Sequence, residues 1–259
     1  MRRSDRGESR PTDSPGVAVV TGAGRGLGEA IAVDLAAAGW DLGLVARRRD
    51  QLDRVADRAS RNGARVTAVR ADVRDREDIQ AAFGTVAETL DGIDALVNNA
   101  GVQRVGPAIE VTGDDWDTII ATNLTGTFNC MQAAVPRMVE RGGGAIVNIG
   151  SVAGLVAVAD RAPYAASKAG LLMLTRACAV EWASLGIRVN AVSPTFVDTD
   201  LARQTLDQPG AREKILNRIP LGRLATTADV SAAVAFLLDD DRAGFVTGEN
   251  LTVDGGFRA

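Results

Sequence analysis

The sequence predicts an α/β fold, a doubly wound parallel sheet of seven strands with helices on both faces. Three observations carry that expectation. Seven short apolar runs alternate with helical patterns across nearly all of the 259 residues, as repeated strand–helix–strand crossovers require. The first run passes directly into a glycine-rich loop and then a helix, an arrangement that brings backbone close to a ligand at a strand's carboxyl end. No linker, repeat or change of composition divides the chain after residue 14. Residues 15–259 are therefore expected to form one domain. Residues 1–14, polar and mixed in charge, read as a disordered tail without the apolar centre of a secretion signal.

Composition removes several kinds of chemistry. A net charge of -4 and a pI near 5.1 argue against nucleic acid or a membrane surface as partner. The chain has no histidine, which excludes Ser-His-Asp and Cys-His catalysis and any His-ligated metal. Cys130 and Cys178 are too few for a zinc cage, and no metal is expected. Both lie in apolar helical contexts, so buried free thiols and a reducing, cytoplasmic setting are expected. No apolar run reaches membrane-spanning length.

Residues 16–20 form a β-branched run bounded by turn residues, hence a buried strand. The loop from Thr21 to Gly28 follows, with the pattern TGxxxGxG. Leu27, Ile31, Leu35 and Ala38 then fall on one helical face, and Gly39 stops the helix. Gly22, Gly26 and Gly28 let the backbone approach a pyrophosphate, which the helix N-terminus also favours. Residues 41–46 make the second strand. Where a dinucleotide site usually carries an acidic residue for the ribose hydroxyls, this chain has Arg47, Arg48 and Arg49. Guanidinium forks bind a 2′-phosphate that a carboxylate would repel, and Arg25 can reach the same phosphate, so NADP is favoured, with NAD possible. The alternative is that the three arginines are the solvated start of the next helix; at least one of them fits that description.

A helix over 51–61 ends at Asn62-Gly63, and 65–70 is the third strand. Asp72, followed by Val73, either accepts a hydrogen bond from an adenine amino group or caps a turn. Asp75 caps a helix through Leu90. The fourth strand, 94–97, runs into Asn98, Asn99, Ala100 and Gly101, which suit a tight turn or close passage past a ribose. A long helix is expected over 114–141. Asn123 in its interior is either paired or tolerated at the surface, and its sequon is discounted without a secretion signal. The fifth strand, 145–149, delivers Ser151 to the carboxyl edge, where open parallel sheets bind ligands.

Tyr164, the chain's single tyrosine, and Lys168, one of two lysines, open the next helix. Side chains four apart share a helical face. An ammonium about 4 Å from a phenol favours the phenolate by roughly 4 kcal/mol at an effective dielectric near 20. The pair can thus exchange a proton near neutral pH; the alternative is a core tyrosine beside a solvated lysine. Residues 187–192 form the sixth strand and lead to Pro194 and on through Val197 and Thr199. The stretch 201–218 is polar and helical, a mobile lid or a surface helix. A helix over 227–238 precedes the last strand, 251–253.

Taken together these motifs resemble the short-chain dehydrogenase/reductase family. The residues that carry the likeness are TGxxxGxG from Thr21, Asp72-Val73, the run Asn98 to Gly101, Asn123, Ser151, Tyr164 with Lys168, and the late Val253-Asp254-Gly255-Gly256. The resemblance implies a Rossmann-type sheet in strand order 3-2-1-4-5-6-7 and hydride transfer between a nicotinamide cofactor and a ketone or secondary alcohol. It implies that Tyr164 is the acid/base and that Lys168 lowers its pKa and holds the nicotinamide ribose. Ser151 would hydrogen-bond the substrate oxygen, and Asn123 would support a water-linked proton path. Cofactor contacts are implied for Gly22, Arg25, Gly26, Leu27 and Gly28, then for Arg47, Asp72 and Val73. They are further implied for Asn99, Ala100 and Gly101, for Tyr164 and Lys168, and for Pro194, Val197 and Thr199.

Thr195 stands where many members carry glycine. Residues 155–162 are expected to line the substrate pocket, with Asp160 and Arg161 facing solvent or, alternatively, a sugar. The resemblance is to 3-oxoacyl and broad ketone reductases, with a sugar or polyol dehydrogenase as the alternative and a homotetramer as the expected assembly. A non-catalytic nucleotide-binding regulator is a third reading, against which intact Ser151, Tyr164 and Lys168 argue.

Overall fold

The computed structural model describes residues 15–259; the tail expected over 1–14 lies outside them. Strands β1 (Val17–Thr21), β2 (Asp41–Ala46), β3 (Val66–Arg70), β4 (Ala95–Asn98), β5 (Gly144–Ile149), β6 (Ile187–Pro194) and β7 (Asn250–Val253) form one sheet in the order β3-β2-β1-β4-β5-β6-β7. All six pairings are parallel. The winding direction reverses between β1 and β4, which opens a crevice at their carboxyl ends.

Each face of the sheet carries its own core. On one, α1 (Gly26–Ala37) and α2 (Arg49–Ser60) bring Ile31, Leu35 and Leu52 against Ala18, Val20, Leu42 and Leu44, joined by Val234 of α9 (Thr227–Leu238). On the other, α3 (Arg76–Leu90), α5 (Gly126–Glu140) and α6 (Ala162–Trp182) bring Phe83, Met131 and Cys178 against Val17, Val19, Leu96 and Ile146. Successive residues of β1 alternate between the two cores, as period-two geometry requires. Burial on both sides is why these strands read as unbroken apolar runs.

The capping chemistry agrees with the sequence in places and refines it in others. Asp75 accepts from the N–H groups of Glu77 and Asp78 and so starts α3. The long helix expected over 114–141 is instead α4 (Gly113–Ile120), a π-helical turn (Ala121–Thr125) and α5 in continuous succession. It starts through a capping box between Thr112 and Asp115. The helix expected over 201–218 is two, α7 (Asp200–Leu206) and α8 (Ala211–Leu216), broken beside Gly210 at φ +71°. This stretch is not merely polar. Ala202, Leu206, Ile215 and Ile219 pack with Val152, Leu224 and Phe257 in a third apolar cluster, which roofs the carboxyl edge of the sheet. No helix among the described residues is long and apolar enough to cross a membrane.

Candidate active site

The carboxyl ends of β1, β2, β4, β5 and β6 border a cavity of about 530 Å³, reaching from Arg47 and Asp72 at one end to Ser151, Tyr164, Phe196 and Leu201 at the other. Fifteen of the sixteen residues expected to touch a cofactor line it, from Gly22 to Thr199, and so does Ser151; the exception is Gly28, which is buried against the Gly22 carbonyl and Asn99, and Asn123 lies behind the cavity.

At the near end the glycine loop is braced by the turn after β4. Asn99 Nδ2 donates to the carbonyls of Thr21 (3.1 Å) and Gly22 (3.2 Å). Thr21 Oγ1 accepts from the backbone N–H groups of Asn99 and Ala100. The asparagine that the sequence suggested for a turn or a ribose therefore also holds the loop. A Cβ on Gly28 would lie 2.3 Å from the Gly22 carbonyl oxygen and 2.4 Å from Asn99 Nδ2, so only glycine fits. At Gly26 a Cβ would meet nothing nearer than Thr199 at 4.0 Å, and its φ of +59° turns open backbone to the cavity. No side chain caps α1, which leaves its first N–H groups and positive dipole end for an anion. This cradle fits a dinucleotide pyrophosphate.

The three arginines after β2 divide. Arg49 pairs with Asp53 as the solvated start of α2, and Arg48 pairs with Asp50 at the cavity's rim. Arg47 lines the cavity and makes no ion pair among the described residues. Arg25 stands 4.0 Å from Asp200. Asp72 serves its turn: its Oδ1 accepts from the Arg74 backbone N–H, and the Arg74 guanidinium holds the carboxyl below its usual range. Val73 is fixed by Asn129, whose Nδ2 donates to its carbonyl at 3.1 Å.

At the far end β5 delivers Ser151, whose Oγ accepts from Ala153 N–H and caps a short turn, Val152–Gly154. Tyr164 lies in the first turn of α6, with Lys168 one turn on. Lys168 is 5% exposed, and burial pushes its pKa down to about 8. Its Nζ lies 5.8 Å from the Tyr164 ring centroid and donates to the Ile149 carbonyl at 2.7 Å.

The structure corrects one expectation here. Burial pushes the Tyr164 phenol above its ordinary value, against smaller opposing effects of a hydrogen bond with Ser151 and of the Arg161 charge. The ammonium is committed to a strand carbonyl rather than to the phenol. Tyr164 therefore keeps its proton at neutral pH, the state a proton donor needs.

Asn123 is fully buried in the π-helical turn. Its side-chain amide accepts from Val102 N–H at 2.8 Å and donates to Val102 O at 2.9 Å and Ser167 Oγ at 3.0 Å. Of the two readings the sequence allowed, it is the paired one. Ser167 Oγ in turn donates to the Tyr164 carbonyl, so Asn123 ties the loop after β4 to the first turn of α6.

One further residue departs from expectation. Arg161 does not face solvent; it is 5% exposed and lines the cavity. It donates to Gln103 Oε1 and Thr205 Oγ1 and stacks over Phe196 at 5.6 Å. Gln103, which sequence reasoning passed over, donates to the Leu201 carbonyl at 2.8 Å. The signal for Arg161 was its place three residues before Tyr164, at the N-cap of α6. Thr195 also lines the cavity, and its buried hydroxyl has no partner.

The chain matches known proteins over nearly its whole length. A family model described as enoyl-(acyl carrier protein) reductase matches residues 22–258. A 3-oxoacyl-[acyl-carrier-protein] reductase of Staphylococcus aureus is 38% identical over 92% of this chain and 96% of its own. A D-threitol dehydrogenase of Mycolicibacterium smegmatis is 40% identical over 93% of this chain and 92% of its own. Among solved structures, a putative short-chain alcohol dehydrogenase from Sinorhizobium meliloti superposes with a TM-score of 0.91 at 40% identity, covering 94% of this chain and 96% of that one.

Proposed function

Because the chain belongs to the short-chain dehydrogenase/reductase family, whose members are alcohol and carbonyl oxidoreductases that use nicotinamide cofactors, we propose that it reduces a ketone with NADPH through Ser151, Tyr164 and Lys168. The observation that carries this reading is the meeting of the Ser151 and Tyr164 hydroxyls at the carboxyl end of β5, with a buried lysine one turn behind.

The nucleotide supplies the hydride when bound. As negative charge builds on the substrate oxygen, Ser151 Oγ–H and Tyr164 Oη–H both donate to it. The Tyr164 proton then passes to that oxygen, leaving an alcohol and a tyrosinate, which solvent reprotonates along the path that Lys168 and Asn123 border. Lys168, charged at neutral pH with a pKa near 8, would stabilise the transient tyrosinate and hold the nicotinamide ribose. Arg47, which makes no ion pair among the described residues, supports NADP over NAD, since an arginine and not a carboxylate stands directly after β2 where a 2′-hydroxyl would be taken.

A second reading, oxidation of a sugar or polyol, is favoured by the similarity to D-threitol dehydrogenase and by Gln103 and the unpartnered Thr195 hydroxyl in the cavity. A panel of 3-oxoacyl thioesters, simple ketones and polyols, each with NADP(H) and NAD(H), separates them. Turnover of ketones with NADPH supports the first reading, and turnover confined to polyols replaces it with the second.

The assembly we propose is a homotetramer in the cytoplasm. Exposed Phe128 and Val139 on α5 and Met173 and Val180 on α6 support packing through those helices, and the buried free thiols of Cys130 and Cys178 suit a reducing compartment. Light scattering tests the assembly, and a monomeric mass would remove it.

A further inference from the structure

We propose that Arg161 recognises a carboxylate carried by the substrate, so that the natural carbonyl compound is a short oxo acid or an equivalent anionic ketone. The proposal rests on the reductase reading of the site and adds the class of substrate.

A guanidinium is rarely buried without a counter-ion, because leaving water is costly and neutral partners repay little of the cost. Arg161 is 5% exposed and makes no ion pair with any described residue. Its hydrogen bonds go to the neutral Gln103 and Thr205, and its flat face covers Phe196. Two of its five N–H groups are thereby used, which leaves three without an acceptor among the described residues, in a side chain that lines the cavity. Burial disfavours its charge, while the neighbouring Asp160, itself exposed, and Tyr164 support it.

The guanidinium is also held in place. Gln103 comes from the loop after β4, Phe196 from beyond β6 and Thr205 from α7, so three separate parts of the fold converge on it. Gln103 is itself anchored to the Leu201 carbonyl. A planar fork fixed in this way matches a carboxylate, whose two oxygens take parallel N–H bonds. The position of Arg161 sets the length of the ligand. It precedes Tyr164 by three residues, and its charge acts on the Tyr164 phenol. A carboxylate on Arg161 thus lies only a few bonds from a carbonyl whose oxygen meets Tyr164 and Ser151.

The alternative is a purely structural clamp that joins α6 to α7. Matched pairs of substrates distinguish the two: 2-, 3- and 4-oxo acids against their methyl esters, with saturating NADPH and the full chain. The native enzyme is expected to favour the acid over its ester at one chain length by about tenfold or more in kcat/KM, as one charge-assisted hydrogen bond pair provides. Arg161→Gln is expected to remove that preference, chiefly through KM for the acid, and Arg161→Lys to keep part of it. A clamp would lower acid and ester together and leave the ratio unchanged; that result, or a native enzyme indifferent to the carboxylate, overturns the proposal. NADPH fluorescence confirms that each variant retains a folded nucleotide site.

If no oxo compound is reduced with either nucleotide, it is the reductase reading that fails. Arg161 is then tested by calorimetry, with butanoate against butanamide on the NADPH-saturated protein. Binding of the carboxylate alone, lost in Arg161→Gln, supports the assignment, and equal or absent binding of the two overturns it.

Discussion

Replacing Lys168 with methionine should abolish turnover and yet stabilise the protein. Burial lowers the lysine pKa from 10.5 to about 8. At about 1.4 kcal/mol per pKa unit, holding the charge inside costs about 3 kcal/mol. Methionine removes that cost but also loses the bond to the Ile149 carbonyl, worth about 1 kcal/mol. The net gain expected at pH 7 is about 2 kcal/mol. Below pH 8 the lysine is protonated in both folded and unfolded states, and the folded state bears the whole penalty. Between about 8 and 10.5 the folded protein releases its proton first and the unfolded chain still holds one, so the native protein gains stability relative to the variant as pH rises. The advantage of Lys168→Met should therefore shrink or reverse by pH 10.5. Urea unfolding of both nucleotide-free proteins, at equal concentration and at both pH values, measures it. A variant less stable than the native protein at pH 7, or a difference that does not move with pH, would refute the reasoning.

Three other outcomes follow from the geometry. Tyr164 is the chain's single tyrosine, so tyrosinate absorbance reports it alone; without nucleotide its midpoint should lie above 10.0, and Ser151→Ala should raise it further. A midpoint below the ordinary value would contradict the burial argument. Arg47→Asp should weaken NADPH binding by about tenfold or more relative to NADH, because a phosphate loses its fork and gains a like charge; equal losses for both nucleotides would sink the assignment of NADP. Gly28→Ala places a Cβ 2.3 Å from the Gly22 carbonyl oxygen, so binding of both nucleotides should fall together, and an unchanged Kd by fluorescence titration would show that the loop yields.

The parts of this fold that local pattern determines were legible before any coordinates. Strand order follows from the family motifs, and the strands themselves from apolar runs buried on both faces. The Asp75 cap needed only its position before a helical repeat. What stayed hidden depends on distant partners. The π-helical turn surrounds Asn123, whose amide bonds lie 21 residues away at Val102. Arg161 reads as a solvated charge beside Asp160 because its partners Gln103 and Thr205 are 58 and 44 positions off. Lys168 sits where the spacing placed it, but its ammonium donates to a carbonyl of β5, and burial of the Tyr164 phenol, which spacing does not reveal, raises its pKa instead of lowering it. The break at Gly210 was missed although Pro209-Gly210 offered a local signal for it, whereas the third apolar cluster offered none, since its members come from segments scattered from Val152 to Phe257.

Single-turnover reduction by the Tyr164→Phe variant tests the central claim most directly. The substitution keeps the ring and removes the one hydroxyl assigned to give its proton to the substrate. With nucleotide binding verified by NADPH fluorescence, the rate of NADPH oxidation should fall by a factor on the order of 10³, within the range general acid catalysis supplies. A phenylalanine variant that oxidises NADPH at the native rate would show that the proton comes from elsewhere and that Tyr164 is not the acid of this site.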